Sequence, residues 1–373
     1  MKIFSVIRRI LLIALLVAAL IGLNMLKANP VTAESWTRSY VRMYGQYAAM
    51  ISGYVPISLT EILAIVVIIA IIVLVIAFIV DLFKGKPIKA VNRILSGASL
   101  VLFIAVLYSF SCELAYNRDE IPLPFYETEV NKSEFVNIYN YYADDLNDCI
   151  ASLTFDENGE IAGEVDFAAL TNEVKQAHAF AYDEYYHPYL GSVKTMYSSI
   201  ILRELHITGV TFAPFGEANI NDLNTKIDLP YTIAHELAHT RGVMREDDAN
   251  QLAFYVCLNS DSPYLRYSAY CATFYQLEVM VSTTYLTDVE REGLHEVNAA
   301  FDLSRNYVNA YWEKYKTLKD IGEYFNNLYI KSSGIEEGID SYAGGTEIGT
   351  DPETNELIPS LYQKLYFEKY FRA

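Results

Sequence analysis

One stretch of the sequence has residue types and spacing that suit metal chemistry: "YTIAHELAHTRGVMREDDAN", residues 231–250. Within it, His235 and His239 lie four residues apart, and Glu236 follows the first histidine. On a helix the two imidazoles project from one face, so both can bind one ion. The carboxylate faces the same cleft, where it can accept a proton from water and pass it to a leaving amine. The pattern predicts a catalytic zinc site with Glu236 as general base.

A catalytic zinc ion needs a third protein ligand and keeps one position open. No further histidine lies near the motif, so we expect a carboxylate. Glu246 is the first candidate, because Gly242 allows the chain to reverse and a second helix can then present this side chain to the ion. Asp247 and Asp248 remain alternatives, and all three acids could instead only cap that helix.

Asn250 lies one helical turn after Glu246. In that position its side chain can accept the second ring N–H of a zinc-binding histidine and so orient the ring. Catalysis also needs a hydrogen-bond donor for the developing oxyanion, and the candidates are Tyr267, Tyr270 and Tyr342. Because the chain contains 31 tyrosines, a packing role is the favoured interpretation of each of these three.

The stretch before the motif, "ITGVTFAPFGEANIN", predicts a short strand or extended segment at Val210–Phe215. A substrate peptide could pair with the edge of such a strand. Glu217 and Asn219 follow closely and are weaker candidates for the site. Four further histidines have no partner at a ligand spacing, and we expect them to be ordinary surface or core residues: His178, His187, His206 and His295.

Three apolar runs near the N-terminus, at residues 10–26, 62–82 and 94–110, approach or exceed the roughly 20 residues that cross a bilayer. We therefore predict a membrane region at 1–112 with three transmembrane helices, followed by an extracytoplasmic domain at 113–373. The small residues at Val31–Ala33 leave open the alternative that residues 1–33 are a cleaved signal peptide.

Basic residues determine the predicted orientation in the cytoplasmic membrane. Three of them precede the first run, and residues 83–93 carry four with no acid, so both segments should be cytoplasmic and the C-terminal domain outside. Residues 1–112 hold 10 basic and 3 acidic residues, whereas the remainder holds 18 basic and 43 acidic residues. Such an acidic domain excludes nucleic-acid binding.

The spacing of apolar residues at three and four predicts mostly helix from about 131 to 208, a helix beginning near Pro230, and an amphipathic helix at the C-terminus. The predicted fold class is mainly α: three transmembrane helices, then a mostly helical zincin-like domain with a small extended or β segment. Outside the membrane, Cys257 and Cys271 either form a disulfide or remain buried free thiols.

The motif "HELAH" with its following Glu-x-x-Ala-Asn helix resembles the gluzincin metallopeptidases. Together with the three apolar runs and "GIDSY" at 338–342, the chain more closely resembles an uncharacterised bacterial membrane family, domain of unknown function 3810. The resemblance implies a zinc metallopeptidase-like protein of unknown substrate. The chain departs from gluzincins in the gap of only six residues between His239 and Glu246, and in Asn250, where they usually carry Asp.

These observations predict a membrane-anchored zinc metallopeptidase that hydrolyses peptide bonds of a peptide or protein substrate outside the cytoplasmic membrane. One alternative is an envelope sensor that signals through a partner protein. Another is a non-catalytic interaction module on the same zinc scaffold. The presence of Glu236 favours the enzyme, because a purely structural zinc site needs no base there.

Overall fold

The computed structural model describes residues 2–181, 184–282, 286–354 and 356–373. The α-helices in chain order are α1 (Lys2–Lys27), α2 (Pro30–Trp36), α3 (Arg42–Gly53), α4 (Leu59–Phe83), α5 (Pro87–Ser111), α6 (Lys132–Ser152), α7 (Phe167–Phe180), α8 (Ser199–Glu204), α9 (Leu229–Thr240), α10 (Glu246–Leu258), α11 (Pro263–Thr273), α12 (Tyr275–Met280), α13 (Asp288–Arg291), α14 (Ala300–Lys314), α15 (Lys319–Ser332) and α16 (Leu361–Arg372). The strands are β1 (Ser192–Thr195), β2 (Gly209–Phe212), β3 (Glu217–Ile220), β4 (Gly349–Thr350) and β5 (Leu357–Ile358). The mainly helical fold class with little sheet is confirmed.

Three of these helices, α1, α4 and α5, are long and apolar enough to cross a membrane. They contain the three apolar runs predicted as spans. α4 and α5 form a helical hairpin whose turn contains Gly85 at a φ of +60°, and α1 packs on α5. The structure therefore supports association with a membrane, while the direction of insertion and the division into two domains stay predictions.

The larger sheet has the order β1-β3-β2, with β3 parallel to β1 and antiparallel to β2. β2 is thus an edge strand, and it contains the first half of the extended segment predicted at Val210–Phe215. The second half, Ala213–Phe215, is a 3-10 turn. The sequence did not predict β1 or β3, since a strand of four residues is too short for its alternation to be recognised.

The hydrophobic core is centred on α9 and α10, which pack on each other and on α7 and α11. α9 has Pro230 in its first turn, as predicted. After α9 the chain reverses at Gly242, whose φ is +83°. A Cβ atom there would lie 2.8 Å from Nε2 of His187, so conformation and space both require glycine. The turn brings the start of α10 back against the end of α9.

Aromatic side chains fill much of this core. Tyr142, Tyr270 and Tyr366 are fully buried and pack their rings together where α6, α11 and the predicted C-terminal helix α16 meet. All four cysteines are free thiols. Of the two alternatives for Cys257 and Cys271, the structure therefore has the free thiols.

Candidate metal centre

The two histidines of the motif converge in the second half of α9. The ring centroids of His235 and His239 are 4.7 Å apart, and their Nε2 atoms are 3.1 Å apart. Residues four apart on a helix lie on one face, which explains the approach. Both side chains are largely buried, with 12% and 8% of their surface exposed.

Glu246, the first residue of α10, completes a group of three side chains. Its Oε2 atom lies 3.2 Å from Nε2 of His235 and 3.4 Å from Nε2 of His239. The two alternative carboxylates point elsewhere. Asp247 and Asp248 lie 2.9 Å and 3.5 Å from the guanidinium of the preceding arginine. The structure therefore brings together the three residues that we selected first as ligands.

Hydrogen bonds on the far side of both rings determine which nitrogen carries the proton. The side-chain amide of Asn250 donates to the carbonyl of Tyr342 at 3.1 Å, which directs its Oδ1 atom toward His235. This Oδ1 lies 2.9 Å from Nδ1 of His235, and the carbonyl oxygen of Val243 lies 2.7 Å from Nδ1 of His239. Both oxygens can only accept, so both Nδ1 atoms donate. Asn250 thus contacts His235 as a residue that orients a ligating imidazole does.

This donor set fits a zinc ion. With both Nδ1 atoms donating outward, the Nε2 atom of each ring is directed at the other ring and at Glu246. These donor atoms repel one another unless a cation, either a proton or a metal ion, lies between them. Oε2 of Glu246 is buried without a hydrogen-bond partner among the described residues. Tetrahedral zinc would hold donor atoms about 3.3–3.4 Å apart, close to the separations of 3.1, 3.2 and 3.4 Å found here. Within the described ranges this is the one such convergence of His, Cys, Asp or Glu.

The electrostatics of the group also favour a cation. Burial opposes a charge on His239, but the nearby carboxylate of Glu246 outweighs burial and raises the pKa of His239 to about 9. Burial likewise opposes ionisation of Glu246, yet the two imidazoles lower its pKa to about 2. The carboxylate therefore stays ionised at neutral pH, and the point between the three side chains attracts a proton or a metal ion.

Glu236 lies beside this group, against the edge strand β2. Its Oε2 atom accepts a hydrogen bond from the hydroxyl of Thr211 at 2.7 Å. A Cβ atom at Gly209 would lie 2.5 Å from Oε1 of Glu236, so the carboxylate needs glycine at that point of the strand. Burial raises the pKa of Glu236 above its usual range, although the two histidines oppose the shift. Sequence reasoning identified neither Gly209 nor Thr211, and a glycine within a strand pattern was the available signal.

A cavity of about 700 Å³ opens in front of these side chains. Its walls come from β2, α9, α15 and the C-terminal end of α5. The sequence did not indicate that the last two helices contribute. The lining residues that they supply include Tyr108, Phe325, Asn326 and Tyr329.

Of the three tyrosines considered as donors, only Tyr342 lies at the cavity. Its ring is nearly parallel to that of His235, with the centroids 6.4 Å apart. Tyr270 donates its hydroxyl proton to Asp145 inside the core, and Tyr267 is fully buried in the same core. These two tyrosines therefore have a packing role and are not donors at the site.

Glu217 and Asn219, the weaker candidates on β3, do not line the cavity. The Glu217 carboxylate forms a buried ion pair with Lys194 and accepts the backbone N–H of Thr60 at 2.7 Å. Asn219 donates its amide to the hydroxyl of Thr60 at 3.1 Å. Both residues therefore fasten the first turn of α4 to the sheet.

The remaining histidines are placed mostly as expected. His178 and His187 are buried in the core, and His295 is exposed. His206 is the exception. It lines the cavity, although no potential metal ligand occurs at a suitable spacing from it in the sequence.

Fold and site together define a mostly helical, membrane-associated protein with a buried His-His-Glu group beside a large cavity. The chain belongs to the family described as "Protein of unknown function (DUF3810)", which matches residues 37–347. The resemblance to that uncharacterised family is thereby confirmed. Comparison with curated proteins and with solved structures found no match. The likeness to gluzincins has no support from these comparisons and stays a hypothesis.

Proposed function

We propose that this protein is a zinc-dependent peptide hydrolase that is anchored in the cytoplasmic membrane and has its cleft outside. The observation that carries the proposal is the convergence of three donor atoms on one point beside the cavity. Structural zinc sites are closed by four protein ligands, whereas three protein ligands facing an open space are typical of catalytic sites.

In this proposal His235, His239 and Glu246 hold the ion. Bound zinc polarises a carbonyl group and lowers the pKa of water. Asn250 and the carbonyl of Val243 keep both imidazoles in the tautomer that leaves Nε2 free to bind.

Glu236 is the residue that we assign to proton transfer. Its pKa is raised toward neutral pH, and a group whose pKa lies near the working pH can both accept and release a proton. It accepts a proton from water as the water attacks the carbonyl carbon, and it then delivers that proton to the leaving nitrogen. The hydroxyl of Thr211 holds the carboxylate in place during both steps.

The substrate is an extended peptide in this proposal. The outer edge of β2 has no strand beside it in the described part of the chain, so its N–H and C=O groups can align a peptide backbone across the cavity. The hydroxyl of Tyr342, which also lines the cavity, is the donor that we assign to the developing oxyanion.

The departures from gluzincins are compatible with this chemistry. A gap of six residues between His239 and Glu246 is long enough to bring Glu246 back to the histidines, because Gly242 reverses the chain immediately after α9. Asn250 offers His235 the same kind of oxygen acceptor that an aspartate would offer.

The decisive experiment measures the zinc content of the full-length protein in detergent. We expect about one zinc ion per chain, its loss in His239→Ala and in Glu246→Ala, and its retention in the control Asp247→Ala. A peptide-cleavage search then uses Glu236→Gln, which should keep zinc and lose activity. If the unsubstituted protein binds no zinc when metal is supplied, the hydrolase proposal fails and the interaction module replaces it.

A further inference from the structure

Apolar side chains on one face of α15 are about half exposed. Ile321, Tyr324, Phe325 and Leu328 are between 48% and 63% exposed. Their spacing of three, one and three residues aligns them along one side of the helix, and we call them the α15 stripe. A continuous apolar row of this kind indicates a surface that contacts lipid or another protein.

Two further exposed apolar groups occur on nearby parts of the chain. The α3 stripe repeats every three or four residues and consists of Met43, Tyr47, Met50 and Tyr54. The α8 group stands at the start of α8 and consists of Tyr197, Ile200 and Ile201.

The α15 stripe is attached to the end of a candidate span. The ring of Tyr329, in the same helix, lies 5.7 Å from the ring of Tyr108, and Ser333 hydrogen-bonds to the hydroxyl of Tyr108 at 2.8 Å. Tyr108 is in the last turn of α5. α15 therefore lies against the end of a membrane-spanning helix.

The other two groups are attached to the start of α4. The α3 stripe is separated from α4 by only a few residues. In the α8 group, the backbone N–H of Tyr197 donates to the carboxylate of Glu61, in the first turn of α4, at 3.0 Å. Because α4 and α5 form a hairpin, the start of α4 and the end of α5 lie on the same side of the membrane.

The cavity extends down to this level. Tyr108, a residue of a span, lines the same cavity as His235 and Glu236, and Phe325 of the α15 stripe lines its wall. The cavity that contains the site thus reaches the end of α5 and the α15 stripe.

We propose that the two stripes and the α8 group rest in the outer interface of the bilayer, so that the cleft opens at the membrane surface and its substrate is a peptide segment tethered to the same membrane. The substrate class rests on the proposed hydrolase function. Amphipathic helices lie in this interface with their apolar faces buried about 5–10 Å, and tyrosine is enriched there. A tether raises the effective concentration of a peptide at such a cleft.

Fluorescence quenching in lipid vesicles tests the placement. Full-length Tyr324→Cys and Ile200→Cys proteins carry a polarity-sensitive label, and the phosphatidylcholine carries a nitroxide near its headgroup. Val289→Cys is the matched control, because Val289 is 77% exposed and apolar while its segment packs on α6. We expect strong quenching at the first two positions and little at the control. Quenching no stronger than at the control overturns the placement, and if those labels are also shielded from aqueous iodide, a second protein copy covers the surface.

A paired peptide assay tests the substrate class. Random decapeptides with and without an N-terminal palmitoyl group are mixed with the vesicles, and products are counted by mass spectrometry. We expect at least about tenfold more cleavage of the palmitoylated form, and we expect Tyr324→Asp to reduce only that excess with zinc content unchanged. Equal cleavage of both forms overturns the tethered substrate but keeps the hydrolase. If neither form is cleaved, the result contradicts the proposed hydrolase function. The placement of the apolar groups at the membrane is then tested by the quenching experiment alone.

Discussion

Replacing Asn250 with alanine should weaken zinc binding although no ligand is removed. Its Oδ1 atom takes the Nδ1 proton of His235 at 2.9 Å, and its amide donates to the carbonyl of Tyr342 at 3.1 Å. Loss of such a partner of a metal ligand typically lowers metal affinity about 10–100-fold, which is about 1.4–2.7 kcal/mol. We expect a loss within this range, because the change removes the oxygen that holds the ring of His235 in its orientation.

Competition with a chromophoric zinc chelator, on full-length protein in detergent, measures this affinity. The matched control is Asn250→Asp, which keeps the oxygen acceptor for His235 and loses the amide donor. It should bind zinc nearly as tightly as the unsubstituted protein, and thermal unfolding should show that both variants are folded. Unchanged affinity in Asn250→Ala would refute the orienting role. Equal losses of zinc affinity in both variants would mean that the hydrogen bond from Asn250 to the Tyr342 carbonyl causes the effect.

Three further changes test other parts of the structure. Gly209→Ala would bring a Cβ atom to 2.5 Å from Oε1 of Glu236, so peptide cleavage should slow about 100-fold with zinc content unchanged. Burial lowers the pKa of His178 to about 3, so the stability that depends on its neutral form is complete above the unfolded pKa of about 6.5 and is lost as the pH falls toward 3. Between about pH 7 and pH 5, the free energy of unfolding should therefore fall by about 2 kcal/mol less in His178→Gln than in the unsubstituted protein, as measured by denaturant unfolding. Lys194→Met leaves the buried carboxylate of Glu217 unpaired and should cost about 3–5 kcal/mol in the same assay, with part of the loss recovered when Glu217→Gln is added.

Each of these changes has an outcome that would contradict its reasoning. Normal cleavage in Gly209→Ala would mean that the position of the Glu236 carboxylate does not limit the reaction. An unaltered pH dependence in His178→Gln would mean that another group controls acid unfolding. A cost below about 1 kcal/mol in Lys194→Met, as found for exposed ion pairs, would mean that water reaches this pair.

The sequence alone determined the features that arise within one continuous segment. The three apolar runs predicted the long helices, because length and composition are local properties of the chain. The same holds for the approach of His235 and His239, which follows from helical geometry. Glu246 and Asn250 were also found in this way, since the glycine turn between α9 and α10 leaves few ways for the second helix to return.

Only the tertiary structure decided what surrounds this segment. Glu217 was a candidate for the site, yet it pairs with Lys194 and holds α4 to the sheet. The contacts of Glu236 with Gly209 and Thr211, and the wall formed by α15, join residues that are far apart in the chain. Such contacts depend on how many side chains pack at once, and strands of four residues are stable only through their neighbours. No local pattern records that packing, which is why the His-His-Glu group was predictable and the cavity around it was not.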